Sequence, residues 1–263
     1  MPLIGDVVIM LLFNLIKRSG ENEHIVNGPK FRKKTSTPFS AFLNFGPFTI
    51  CSFSPERFIK LNNNTITTSP IKGTIKRGDD PVSDNRLREE LSSSEKNIAE
   101  NLMIVDVLRN DISRVSKKGS VEVTELAKIK SYKNVHHLVS TIKSSLSEKL
   151  DAIDLLFATL PGGSITGAPK IRAMEIISEL EKNRRGVYCG AIGFISFSKD
   201  SDFNIPIRTL TIADDTISIN CGGGIVSDSN AESEYQESID KIENILKENR
   251  KKIIKQSSNV NQK

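Results

Sequence analysis

The sequence predicts an α+β protein with antiparallel sheets. Strand-like runs fall into two groups, one before and one after a central block of helices. Within each group successive runs are separated by short turn segments of the kind that close hairpins. Strands and helices do not alternate one by one, as a doubly wound parallel fold requires.

Ser40–Phe45 and Phe48–Phe53 read as strands joined at Gly46-Pro47, and Arg57–Leu61 pairs with Thr65–Ser69 across Asn62-Asn63-Asn64. Gly73 to Pro81 reads as a loop. Ser83 or Asp84 then caps one long helix reaching Arg114, with Leu91, Ile98, Leu102, Val105, Leu108 and Ile112 near helical spacing. Ser120–Leu126 reads as extended. Helices fit 134–147, 151–159 and 169–182, the last opened by Pro169, a residue favoured in a first turn. Tyr188–Phe197, Phe203–Ile212 and Thr216–Asn220 read as strands, and a final helix runs from Ala231 past Ile245.

The chain has 263 residues, long enough to bury a proper core. Its net charge of +5 raises nucleic acid as a partner. The excess sits on the ends, with +4 over residues 243–263 and +3 over 1–35, which leaves the body at −2. With no Trp to stack on bases and no basic groove in the body, the composition argues against nucleic-acid binding. The apolar run Val7–Ile16 is too short to span a bilayer and lacks the flanks of a signal peptide, so it reads as a buried strand or helix. Cys51, Cys189 and Cys221 are odd in number and widely spaced, which argues against a disulfide framework; no membrane association and a cytoplasmic location are expected.

Several groups have chemical potential. Glu234 and Glu237 lie three residues apart, so a helix puts both on one face, either as a solvated acidic surface or as oxygen ligands for a cation. Glu100 precedes the apolar Leu102-Met103-Ile104-Val105, and three such carboxylates would suit Mg²⁺. Gly162-Gly163-Ser164-Ile165-Thr166-Gly167, Gly222-Gly223-Gly224 and Gly73-Thr74 allow backbone N–H groups to approach an anion, though each taken singly reads as a turn. Lys72 sits beside Gly73 at a strand end; most lysines are inert, and one acting as a nucleophile must shed its proton through burial or a neighbouring cation.

Taken together and in order, the segments are far less ambiguous. Ser54-Pro55-Glu56-Arg57-Phe58, Pro70-Ile71-Lys72-Gly73-Thr74, Ala99-Glu100-Asn101-Leu102-Met103-Ile104-Val105-Asp106 and Arg109-Asn110-Asp111 come first. His136-His137-Leu138-Val139-Ser140, Pro161 to Lys170, Ile207-Arg208-Thr209, Gly222-Gly223-Gly224-Ile225-Val226 and the Glu234/Glu237 pair follow. In this series the chain resembles the chorismate-utilising enzymes, over Pro38 to Leu246.

The resemblance implies stacked antiparallel sheets with helices packed outside. It also implies an N-terminally truncated form, since family members are nearly twice as long and the matched part is their C-terminal half. It divides the chain into a divergent segment over 1–37, a chorismate-binding catalytic domain over 38–248 and a basic polar tail over 249–263. Lys72 and the Pro-Gly-Gly-Ser-Ile-Thr-Gly form point to the branch that turns chorismate and ammonia into 4-amino-4-deoxychorismate, on the route to 4-aminobenzoate and folate. The anthranilate-forming branch, which typically has Ala at the Lys72 position, and an inactive chorismate-binding remnant are the alternatives.

In that branch, by resemblance, Lys72 is the covalent nucleophile and Glu56 the general acid. Mg²⁺ is held by Glu100, Glu234 and Glu237. Arg208 takes the enolpyruvyl carboxylate, and His137, Ser164, Thr166, Phe194, Gly222 and Gly224 complete the pocket. Phe194 stands where several relatives have Tyr, and Asn97 replaces an acidic residue found in relatives. Because the chain contains no amidotransferase-like segment, the resemblance implies a separate glutamine amidotransferase subunit as the ammonia source.

Overall fold

The computed structural model describes residues 37–213, 216–226 and 229–243. They divide into two units, one formed by Glu56–Ile205 and the other by residues 37–55 with 206–243. The apolar run Val7–Ile16 and the basic tail lie outside the described residues. None of the described helices is long and apolar enough to cross a membrane.

The smaller unit carries a four-stranded antiparallel sheet. Its strands are β1 (Phe39–Asn44), β2 (Phe48–Ser54), β10 (Thr209–Ala213) and β11 (Thr216–Asn220), in the order β1-β2-β10-β11. Both expected hairpins form, with Gly46 in the left-handed conformation that its turn demands. Cys51, Phe53 and Leu210 make a buried cluster, with Ile212, Ile217 and Ile219 packed against it. This unit also holds the last described helix, α5, over 231–243.

The larger unit is a seven-stranded antiparallel sheet with helices. Its strands are β3 (Arg57–Asn62), β4 (Thr65–Thr68), β5 (Ile71–Lys76), β6 (Glu122–Ser131), β7 (Val135–Ser145), β8 (Ile192–Ile195) and β9 (Ser201–Asn204). Along one edge of β7 run first β5 and then β4, with Ser69-Pro70 between them; the Ser140 N–H donates to the Pro70 carbonyl at 3.2 Å and keeps the ladder closed there. β6 takes the opposite edge. The helices are α1 (Pro81–Ser93), α2 (Glu95–Ser113), α3 (Ala152–Thr159) and α4 (Lys170–Leu180), with a 3₁₀ turn at Gly163–Ile165.

The α+β class and the antiparallel pairing agree with the sequence reading, and four local expectations change. Residues 134–147, read as a helix, contain the central strand β7. Val135–Ser145 has neighbours on both edges and is buried on both faces, so its apolar and small residues do not alternate, and a short run of that kind looks the same in a buried helix. Consequently His136 and His137 point to opposite faces of a strand, not around a helix.

The long helix is two helices. Ser94, at φ −69° and ψ 102°, ends α1 and caps α2, its hydroxyl accepting from the Asn97 N–H. The cap of α1 is Asp80, which accepts from the Val82 and Ser83 N–H groups, with Pro81 in the first turn. The start of the expected loop at Gly73 is instead the middle of β5. Lastly, Phe203–Ile212 is divided between the two sheets, β9 ending at Asn204 and β10 beginning at Thr209. Pro206, which has no N–H to give a ladder, and Arg208 at φ +53° make the break.

Ile142 lies in the middle of β7 and is fully buried. Ile142→Ala should therefore cost about 2–5 kcal/mol of stability, read as a lower midpoint in urea unfolding.

Candidate active site

Pro55 ends the smaller unit's first segment, and Glu56 opens the larger unit one residue before β3. The Glu56 carbonyl accepts from the Ile205 N–H at 3.2 Å, so the two ends of that unit meet at this residue. Its side chain is buried, with 7% exposure. Burial raises the Glu56 pKa to about 7, against opposing pulls from the Ser164 hydroxyl, the Lys72 charge and the Ile71 N–H. The Ser164 hydroxyl is itself buried and stands near enough to Glu56 to favour its charged form. Glu56, Lys72 and Ser164 are thus brought together within one unit.

Lys72 owes its place to a bulge. The pairing of β5 with β7 slips between Ile71 and Thr74, and Gly73 adopts φ +83° to allow it. A Cβ on Gly73 would also lie 3.0 Å from Asn97 Cγ and from Leu91 Cδ1, so glycine is required twice over. Beyond the bulge, Thr74 pairs with His137, and the Thr74 hydroxyl lies 2.8 Å from His137 Nδ1. His137 is buried, with the Tyr132 ring against its edge at 5.3 Å. Its neighbour His136 faces the other way, where Nε2 is 3.0 Å from Asp84 Oδ1, and Arg77 and the Gly78 N–H donate to the same carboxylate.

The remaining expected residues of this unit are less concentrated. Thr166 spends its hydroxyl locally, donating to the Gly162 carbonyl at 2.9 Å. Phe194 lies on β8 and is 44% exposed. Glu100 is half-buried on α2. Asn97, one turn earlier, folds back on Ser94, its amide donating to that hydroxyl at 2.9 Å.

In the smaller unit, Arg208 is held in the left-handed region and its pKa is lowered by burial alone, with no described carboxylate near enough to oppose the effect. A half-buried guanidinium in that condition suits an anionic ligand. Glu234 and Glu237 lie one turn apart on α5. The Ser229 hydroxyl donates to Glu234 Oε1 at 2.7 Å, and a Cβ on Gly223 would stand 2.9 Å from Glu234 Oε2, so the glycine segment and the acidic helix are in close contact. Lys241 Nζ lies 2.7 Å from Glu237 Oε1 and 3.2 Å from the Gly222 carbonyl, tying the same two elements together. Lys241 and Ser229 were missed in the sequence reading; the four-residue spacing of Glu237 and Lys241 on one helix was the available signal.

Among the described residues no three His, Cys, Asp or Glu side chains gather in a metal-binding group. By chemistry, the three expected carboxylates are hard oxygen donors of the kind that suits Mg²⁺.

The profile of the chorismate binding enzyme family matches residues 29–247. The chain belongs to that family. Among relatives of this chain, aminodeoxychorismate synthase component 1 of Salmonella typhimurium is 50% identical over 92% of the chain. The protein of the same name from Escherichia coli is 56% identical over 80% of it. The chain spans about half the length of these relatives, 53% and 47% respectively. An anthranilate synthase component 1 from Aquifex aeolicus is 42% identical over 92% of the chain. Among solved structures, anthranilate synthase component I from Streptococcus pneumoniae superposes with a TM-score of 0.74 at 42% identity, covering 81% of this chain and 47% of that one.

The burial of Glu56 has a measurable consequence. A carboxyl with a folded pKa near 7 and an unfolded value near 4.5 binds its proton more tightly in the folded state. Its contribution to stability is complete below the unfolded value and is lost as pH rises through 7. Glu56→Gln should remove this loss. Unfolding by urea from pH 4.5 to 8 should show the variant gaining on the wild type with rising pH, by roughly 3 kcal/mol at the alkaline end.

Proposed function

We propose that the chain catalyses the aminodeoxychorismate synthase reaction, chorismate plus ammonia giving 4-amino-4-deoxychorismate and water. The observation that carries this is the pairing of Lys72 with a buried Glu56 of pKa about 7, in a chain half-identical to synthases of that name. A carboxyl poised at neutrality gives up a proton to a leaving hydroxyl and takes one back, which is what general acid–base work requires.

The Lys72 amine adds to C2 of the ring, the ring electrons shift, and the C4–O bond breaks as Glu56 protonates the departing oxygen to water. Ammonia then attacks C4, the C2–N bond to Lys72 breaks with return of the electrons, and the surplus proton on the new amine restores Glu56. Two allylic displacements retain the configuration at C4. Arg208 binds the enolpyruvyl carboxylate through paired hydrogen bonds. His137, Ser164, Thr166, Phe194 and the backbone N–H groups of Gly222 and Gly224 shape the rest of the pocket. By the family resemblance, Glu100, Glu234 and Glu237 would hold Mg²⁺, which would withdraw charge from the ring as a Lewis acid. Ammonia comes from a glutamine amidotransferase subunit, a reading supported by the words "component 1" in the relatives' names.

The test is the purified chain with chorismate, Mg²⁺ and an ammonium salt, which dispenses with the amidotransferase. Aminodeoxychorismate should form, Lys72→Ala should abolish it, and Glu56→Gln should slow it by about 10²–10⁴-fold. No product from a folded sample defeats the proposal, and fluorescence of anthranilate in its place assigns the chain to the other branch.

A further inference from the structure

Two segments of the ordered series have no part in the chemistry above: Arg109-Asn110-Asp111 at the end of α2, and Lys170 at the start of α4. The structure joins them. Lys170 Nζ lies 2.8 Å from Asp111 Oδ2 and 2.9 Å from the Thr159 carbonyl, with the Asp111 side chain 3% and that of Lys170 16% exposed. Arg114, one turn beyond Asp111, also favours the charged carboxylate and donates to the Ala158 carbonyl at 3.2 Å. Burying such a pair is costly, and apolar residues of the same size would often serve stability as well or better. Its geometry offers another reason for its presence.

Thr159 ends α3 and Lys170 begins α4, so the ammonium closes the two ends of the segment Leu160–Pro169 and pins both to α2. Within that bend, a Cβ on Gly163 would lie 2.7 Å from Val107 Cγ1 of α2, and one on Gly162 would lie 3.3 Å from Phe58. Arg185 donates to the Ile165 carbonyl at 2.9 Å. The bend carries Ser164, whose buried hydroxyl acts on Glu56.

We propose that Asp111 and Lys170 are positioning residues, a buried ionic clasp that holds Ser164 against the Glu56 carboxylate. The importance of that contact rests on Glu56 being the acid of the proposed reaction, but the clasp itself can be measured without turnover.

The experiment follows the side-chain carboxyl of Glu56 by ¹³C NMR in the full chain, through a pH titration, with the resonance assigned by its loss in Glu56→Gln. Around this group lie the charge of Lys72 of β5, the Ser164 hydroxyl and the Ile71 N–H. Asp111→Asn combined with Lys170→Met removes both charges and leaves neither buried alone. It should raise the Glu56 midpoint by about one pH unit, the size of a hydrogen bond to a charged carboxylate. Ser164→Ala should do the same, and the triple variant should go no further. Lys170→Arg, which keeps the pair, should leave the midpoint close to that of the wild type.

An unchanged midpoint in a folded double variant overturns the proposal. Should the double variant unfold, Asp111→Asn alone is read in the same way; loss of the fold in that variant too makes the pair a structural tie and equally overturns it. A shifted midpoint in a chain that forms no aminodeoxychorismate supports the clasp and counts against the functional reading only.

Discussion

The larger unit depends on one constraint, that a strand buried on both faces must have its backbone groups satisfied at both edges. β7 meets it by taking β4 and β5 on one side and β6 on the other. At Ser140, where the neighbours hand over, the serine N–H turns to Pro70. The serine hydroxyl meanwhile donates to the Asn101 side chain of α2 and accepts from the Ala127 N–H at the irregular point of β6. Because β7 is paired everywhere, the bulge at Lys72-Gly73 is fixed in place and His137 is set two strand positions from it. The chemistry-bearing residues of this unit inherit their places from that pairing.

The same burial sets the electrostatics. Glu56 is deep enough to be reluctant to ionise, yet it keeps a nearby ammonium, an amide and a hydroxyl that limit the reluctance to a pKa of about 7. Asp111 has a comparable balance, with burial opposed by Lys170 and Arg114. Asp84 takes the other course: partly exposed and held by Arg77, the Gly78 N–H and His136, it lies far below the ordinary carboxylate range. Of these three carboxylates in one unit, Glu56 and Asp111 hold their protons more tightly than usual and Asp84 less so, and Glu56 is the one beside a potential nucleophile.

The hairpins were legible in the sequence because their turns carry their own chemistry, as at Gly46-Pro47, Asn62-Asn63-Asn64 and Lys199 to Asp202. The strand β7 was not, because a side-chain pattern reports a strand only when one face is wet, and here neither is. The break at Ser94 was masked by continuous helical spacing of Leu91, Ile98 and Leu102, although three serines in a row gave a local hint. Glu56, Lys72 and Ser164 were legible through the ordered motifs, and no spacing rule would have brought them together from separate segments. What the sequence withheld was the pairing between motifs, Lys170 with Asp111 and Lys241 with the Gly222 carbonyl, because such partners are chosen by the fold at long range.

The larger unit is threaded into the smaller one, leaving it through Ile205 beside the point, Glu56, where it entered. β2 has to find β10 across more than 150 intervening residues, whereas three of the six pairings inside the larger unit, β3 with β4, β6 with β7 and β8 with β9, are hairpins. During synthesis the segment with β1 and β2 therefore leaves the ribosome with one apolar edge unpaired, and stays so until the whole insert has been made. An order of assembly follows, in which the insert folds first and brings its own ends together, so that the four-stranded sheet closes over a short gap and not over a long loose loop.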